Sequence, residues 1–218
     1  MRDEQKEWAL ARAIAQDVRD QGGCAYFVGG LVRDRLLGRP NKDIDIEVFG
    51  LAPSALRALL LRRGQVLEVG AAFGVFRLAH SDLDIAMPRR ETCRGVGHRD
   101  FDISVDPSLS LKDAARRRDF TMNAMYQDIL TEEVLDPWNG RQDLARGALR
   151  HVDDLSFAED ALRAFRAAQF AARFELAIEP ETLELCRRMR VEHLSRERVF
   201  AELAKALLQA SKPSVFFR

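Results

Sequence analysis

The sequence predicts an α+β protein: a small mixed sheet backed by helices, followed by an all-helical region. Three observations carry that prediction. Up to residue 87, short runs with apolar residues at every second position are interleaved with helical patterns across short connections. One of those runs holds Asp43 and Asp45 between Ile44 and Ile46, shortly after a Gly29-Gly30 pair. After His151 the apolar residues recur only at helical spacing.

Taken in order, residues 3–20 read as an amphipathic helix with Trp8, Leu10, Ile14 and Val18 on its buried side. Strands are expected at 24–28, 43–49, 65–70, 74–80 and 82–87. A helix at 31–37 follows the Gly-Gly turn, and another at 53–63 ends before Gly64. From 88 to 109 the pattern dissolves into charged, Gly-containing sequence too long for a routine connection, and a mobile loop is expected. Residues 116–125 are helix-compatible, with Asp119 or Thr121 as a cap and Phe120, Met122 and Met125 toward a core. D-P-W-N-G at 136–140 reads as a turn. Helices are expected at 157–174, 180–190 and 196–210, with Pro180 opening the second and Ser195 with Arg198 the third. The expected organisation is therefore a sheet-containing domain over 1–150 and a helical one over 151–218.

Composition narrows the class. Lys+Arg 34 against Asp+Glu 34 gives zero net charge, so any nucleic-acid contact must come from a local basic surface. Arg89, Arg90, Arg94, Arg99, Arg116, Arg117 and Arg118 supply one candidate stripe, with ordinary salt-bridged solvation as the alternative. Cys24, Cys93 and Cys186 are odd in number and far apart, without zinc-type spacing, and no secretory signal opens the chain. A reducing cytoplasm fits that pattern. No apolar run approaches the roughly 20 residues that span a bilayer. The four histidines are dispersed, and none is read as a ligand.

The chemistry-bearing residues fall in clusters. Gly29 and Gly30 lie between a strand and a helix, so backbone N–H groups at the turn can face an anion, and Arg33 can add a fork of donors. Strand alternation projects Asp43 and Asp45 from one face. Paired carboxylates suit Mg²⁺, which binds few protein carboxylates and completes its shell with water and substrate phosphate. Such a site can activate an attacking oxygen and neutralise leaving pyrophosphate, so nucleotidyl transfer from a nucleoside triphosphate is the expected reaction. Asp84, in L-D-I-A-M-P, is either an ordinary strand-end residue or a third carboxylate able to help deprotonate a 3′-hydroxyl. Arg118, Asp119 and Asn123 are spaced to hold a ribose or phosphate jointly.

The ordered motifs G-G-L-V-R-D, D-I-D-I, R-R-D-F-T-M-N-A and E-D-A-L-R-A-F-R-A-A-Q-F-A-A-R-F resemble those of class II tRNA nucleotidyltransferases, the CCA-adding enzymes, and of the related bacterial poly(A) polymerases. The resemblance runs from about Tyr26 to Phe174 and extends toward the C-terminus. It implies a polymerase-beta-like nucleotidyltransferase head over 1–150 and a helical neck over 151–218 that selects the base and binds RNA. By the resemblance, Gly30 and Arg33 contact the triphosphate, Asp43 and Asp45 hold the metal, and Arg118 lies on the nucleotide. Asp119 and Asn123 take part in ribose selection, and Glu159, Asp160 and Arg163 imitate a templating base for C or A, with Arg166 and Gln169 beside the nucleotide. A carboxylate accepts from the exocyclic amine that cytosine and adenine share, and a guanidinium donates to ring nitrogen or carbonyl. The chain departs from the family pattern at Ala161, where Pro is usual, and at Gln169, where Arg is frequent. A flexible segment lies in the family at the place of 88–109.

The implied activity is addition of C and/or A from CTP and ATP to an RNA 3′ end, that of tRNA first of all, with Mg²⁺ as cofactor. Poly(A) polymerase is the alternative within the class. A catalytically silent RNA- or nucleotide-binding module is the alternative outside it. Family members continue into further helical body and tail regions, whereas this chain stops at S-K-P-S-V-F-F-R, with Val215, Phe216 and Phe217 as an apolar ending. That apolar ending fits a trimmed chain, a natural minimal form or an end packed on a partner.

Overall fold

The computed structural model describes residues 4–68, 74–93 and 101–217, apart from the side chains of 4, 68, 91–93 and 101–103. The described residues pack into two compact units, one of residues 4–68, 74–93, 101–115 and 125–137, the other of 116–124 and 138–217.

In the first unit, helix α1 (Glu4–Asp20) leads into β1 (Cys24–Val28), α2 (Gly30–Leu36), β2 (Ile44–Phe49) and α3 (Pro53–Leu61). The chain continues through β3 (Val66–Glu68), β4 (Val75–Leu78), β5 (Leu83–Ala86), β6 (Arg89–Cys93), β7 (Phe101–Val105) and α4 (Leu111–Ala115). Two short strands, β8 (Tyr126–Asp128) and β9 (Val134–Leu135), complete it. Seven strands form one mixed sheet in the order β3-β4-β5-β2-β1-β8-β9. Among the described pairs of this sheet only β2–β5 is parallel, as its long crossover through α3, β3 and β4 allows. Phe27, Ile44, Ile46, Val48, Leu83 and Ile85 are buried on the sheet, as are Ile14 and Val18 of α1 and Leu56, Leu59 and Leu60 of α3. Each such side chain contributes about 1.5–3 kcal/mol by leaving water. The Trp8 ring of α1 meets Phe27 edge-on at 4.9 Å, so the amphipathic helix backs the sheet as its spacing predicts.

The second unit is built on the 3-10 turn Thr121–Asn123, α5 (Gly140–Ala145), β10 (Ala148–Leu149), α6 (Asp154–Ala158) and α7 (Leu162–Phe174). After them come β11 (Ala177–Ile178), α8 (Pro180–Arg188), α9 (Arg196–Gln209) and a terminal 3-10 turn, Pro213–Phe217. Its core gathers Phe120, Met122, Leu149, Phe157, Phe170 and Phe174, with Leu185 and Val215 packed against them. Ser195 caps α9 by accepting from the Arg198 N–H, and Pro180 occupies the first turn of α8, as expected.

Three expectations are corrected. The stretch 88–109 is not a featureless loop: β6 and β7 pair antiparallel from Arg89↔Val105 to Cys93↔Phe101, while 94–100 lie outside the described residues. Residues 116–125 do not form a helix, because α4 ends at Ala115 and only the 3-10 turn at Thr121–Asn123 is helical, while Phe120 bridges to His151 as extended backbone. The expected helix at 157–174 is two: Asp153 caps α6 by accepting from Ser156 N–H, and the chain breaks at 159–161 before α7. Of the strand expected at 65–70, Val66–Glu68 is formed and 69–70 lie outside the described residues.

Candidate active site

Antiparallel pairing sets the end of β1 beside the start of β2, and this brings the glycine turn to the carboxylates. Gly29 has φ 67° and ψ −132°, a backbone state that a side chain would strain, and it directly precedes α2. A Cβ on Gly30 would stand 3.3 Å from Arg33 Nη2 and 3.5 Å from Asn41 Nδ2. Arg33 therefore lies beneath the turn, 4% exposed, and donates from Nε to Asp34 Oδ1 at 2.8 Å. Sequence reasoning expected this guanidinium to reach for phosphate directly; its observed place is under the turn that would hold one.

Asp45 lies within β2 and Asp43 two residues earlier, at the entry to the strand, half-buried and exposed respectively. Asp45 is in register with Asp84 on the parallel strand β5, so the two carboxylates leave the sheet on the same face. Asp84 in turn stands opposite Arg77 on β4, whose Nε donates to Asp84 Oδ1 at 2.6 Å. That pairing raises the Arg77 pKa above its ordinary value, chiefly through the hydrogen bond to Asp84. Among the described residues no group of three or more His, Cys, Asp or Glu side chains could hold a metal ion. The donor set offered is thus a few hard carboxylate oxygens on one strand face, which fits Mg²⁺ completed by water and phosphate better than a closed protein cage.

Two residues here were missed. Asn41 accepts from the Asp43 N–H at 2.9 Å, and its amide donates to Asp34 Oδ2 at 2.6 Å. Nothing in its sequence position between Pro40 and Lys42 marks it, because its role depends on a contact seven residues back. Glu47 is 1% exposed and shares the face of Asp45, two residues on along β2; the third acidic residue of D-I-D-I-E was its available signal.

The second unit assembles the remaining predicted residues around α7. Asp119 accepts from Phe120 N–H at 2.8 Å, Asn123 Nδ2 at 2.9 Å and Arg166 Nε at 2.7 Å. Burial opposes its charge, yet the Arg166 guanidinium, helped by Asn123 and the Phe120 N–H, outweighs it and holds the carboxyl below the ordinary carboxylate value. The same pairing raises Arg166 in spite of burial. Asp119 and Asn123 are joined by this bond rather than by helical spacing. Arg118 precedes them in the turn, half-buried.

Glu159 and Asp160 lie in the break before α7. Asp160 accepts from Leu162 N–H at 3.1 Å and from Arg198 Nη2 at 2.7 Å. Arg163 donates to the Ser156 carbonyl and, at 2.5 Å, to the Arg117 carbonyl. Gln169 is fully buried, and neither of its amide atoms has a hydrogen-bond partner among the described residues.

Comparison with known proteins places this geometry. Residues 25–150 match the family model of the poly A polymerase head domain. The multifunctional CCA proteins of Nitrosococcus oceani and Laribacter hongkongensis are 43% and 44% identical over 196 residues, covering 88% of this chain and 46% of each relative. Among solved structures, the Bacillus stearothermophilus CCA-adding enzyme in complex with CTP superposes with a TM-score of 0.76 at 32% identity, covering 94% of this chain and 49% of that one. The Thermotoga maritima CCA-adding enzyme complexed with tRNA gives 0.77 at 28% identity, covering 100% and 53%. The chain spans about half the length of the curated relatives it matches. The match extends over more than half of its residues, and the chain belongs to the poly A polymerase head domain family.

Proposed function

We propose that this chain carries the catalytic head, to about residue 150, and the helical neck, from 151, of a template-independent nucleotidyltransferase that adds C and/or A from CTP and ATP to the 3′ end of tRNA, releasing pyrophosphate. The observation that carries the reading is the meeting of the Gly29-Gly30 turn with the Asp43–Asp45 strand at one end of the β1–β2 pair. The CCA relatives, and the structures holding CTP or tRNA, support the substrates.

In this reading the N–H groups after Gly29 and the charge of Arg33 beneath them seat the triphosphate. Asp43 and Asp45 hold Mg²⁺, which when bound supplies charge neutralisation for the α-phosphate and the leaving pyrophosphate. Asp84 accepts the proton of the attacking 3′-hydroxyl. Arg118, Asp119 and Asn123 orient the ribose and phosphates, with Arg166 and Gln169 beside them. Asp160 and Arg163 select the base. A carboxylate offers about four acceptor sites and a guanidinium five donors, so the bonds to Leu162, Arg198, Ser156 and Arg117 leave each with capacity for a base edge. Cys24 and Cys186 are free thiols, in keeping with a cytoplasmic setting. No described helix is long and apolar enough to cross a membrane.

The test is incubation with tRNA lacking its CCA end, CTP, ATP and Mg²⁺, followed by sequencing of product 3′ ends. Termination after C, CC, A or CCA is expected, and Asp45→Ala should abolish it with the fold intact. Long A-only tails on tRNA and on an unstructured oligonucleotide alike would instead make the protein a poly(A) polymerase, and nucleotide binding without transfer to any RNA would make it a binding module.

A further inference from the structure

We infer that Asn41 is a positioning residue that mechanically couples the glycine turn to the carboxylate strand, so that nucleotide and metal binding reinforce each other through it. The inference rests on the functional reading above and deepens it.

Asn41 sits in the connection between α2 and β2, and its two amide atoms do different work. Its Oδ1 accepts from the Asp43 N–H, a turn that fixes how the chain enters the strand bearing Asp43 and Asp45. Its Nδ2 donates to Asp34 Oδ2 at 2.6 Å and lies 3.5 Å from where a Gly30 Cβ would be. The other Asp34 oxygen holds Arg33. Arg33, Asp34, Asn41 and the backbone of Asp43 are therefore joined by hydrogen bonds, from beside the Gly30 turn to the residue that bears the first carboxylate. The amide orientation follows from its neighbours: a backbone N–H requires an acceptor and a carboxylate requires a donor.

The position demands an amide. An aspartate there would set a second carboxylate against Asp34, which is 2% exposed. A serine can still accept from the Asp43 N–H but is too short to serve Asp34. Alanine removes both bonds and leaves the buried Asp34 oxygen short of a donor. If these bonds transmit position, cutting them separates the two binding events; if Asn41 only braces a loop, melting temperature falls and the coupling stays.

The experiment measures calorimetric binding of a non-hydrolysable CTP analogue to the 218-residue chain across a Mn²⁺ series, with thermal melts of each variant. Mn²⁺ should tighten analogue binding to the unaltered protein, and Asp45→Asn should remove that tightening. Asn41→Ala and Asn41→Ser should each reduce it about tenfold, the worth of a hydrogen bond to a charged group, and raise the half-saturating Mn²⁺. Asn41→Ser, which keeps the turn acceptor, carries the test should Asn41→Ala melt below the assay temperature. Tightening that survives Asp45→Asn, or no binding by the unaltered chain, overturns the functional reading itself. Loss in Asp45→Asn with unaltered values in a folded Asn41→Ser overturns only the positioning role.

Discussion

Asp45 and Asp84 stand in register on neighbouring parallel strands, one residue before the buried pair Ile46 and Ile85. The sheet therefore presents two carboxylates on one face while the isoleucines anchor the opposite one. Arg77, across from Asp84, also feels Asp82 and Asp45, so a fixed cation already sits among these acids.

A divalent ion and the Arg77 guanidinium must compete for the same negative field. The Arg77–Asp84 pair is more than 40% exposed on both sides, so it contributes little to stability. Arg77→Ala should leave the melting temperature nearly unchanged while lowering the Mg²⁺ concentration for half-maximal incorporation about threefold. Asp84→Asn should lower turnover at saturating Mg²⁺ by about 10²-fold, as loss of a general base does. A magnesium titration of both variants checks this, and an unchanged titration for Arg77→Ala would mean that the guanidinium plays no part at the metal.

The Asp119–Arg166 pair is the opposite case, because the carboxylate side chain is only 9% exposed. Asp119→Ala would leave a mostly buried guanidinium with Glu202, at 3.6 Å, as its remaining ion-pair partner among the described residues, and should cost about 3 kcal/mol in chemical denaturation. The pH dependence has a definite sign. The folded carboxyl lies below its ordinary value of 3.8, so its contribution is complete above that pH and disappears as the pH falls through the folded value. The stability gap between the unaltered protein and Asp119→Ala should accordingly narrow below about pH 4 and stay constant from pH 5 to 8.

Legibility in the sequence followed the range of the interactions. The alternation of Ile44, Asp45 and Ile46 and the spacing of Ile14 and Val18 are local, and both were read correctly because burial imposes its period on the chain. Strand β8 went unread because Tyr126, Gln127 and Asp128 owe their strand state to pairing with Tyr26, Phe27 and Val28, about a hundred residues away. The 3-10 turn at Thr121 was mistaken for a helix because its shape is set by the bridge from Phe120 to His151 and by Asp143 accepting from the Thr121 hydroxyl at 2.7 Å. At the candidate site, motif order singled out which residues to place, whereas the burial of Arg33 and the bonds holding Asp160 and Arg163 arise only from packing.

Gly140 shows how tightly that turn is clamped. An added Cβ would stand 2.2 Å from the Thr121 carbonyl oxygen and 2.7 Å from its carbon, both backbone atoms that cannot rotate away. Gly140→Ala should destabilise by about 3 kcal/mol or more through forced backbone shifts. Because Thr121 adjoins Phe120 and Asp119, the variant should also lose nucleotide affinity, measurable by titration with ATP below its lowered melting temperature.

Gln169 allows stability and function to be separated at one position. Its side chain is fully enclosed on α7, yet neither the amide nitrogen nor the oxygen has a hydrogen-bond partner among the described residues. A buried amide without partners is costly, whereas methionine has nearly the same length and flexibility and no polar group to strand. Gln169→Met should therefore raise stability, by about 1–3 kcal/mol. In the proposed reading that sets Gln169 beside the nucleotide, the same change should raise the KM for CTP and ATP while leaving kcat nearly unaltered, since what is removed is uniform binding. The two measurements pull in opposite directions, which no purely structural role would produce. A lower melting temperature in Gln169→Met with an unaltered KM would show that the amide is hydrogen-bonded in solution and that it serves the structure of the second unit alone.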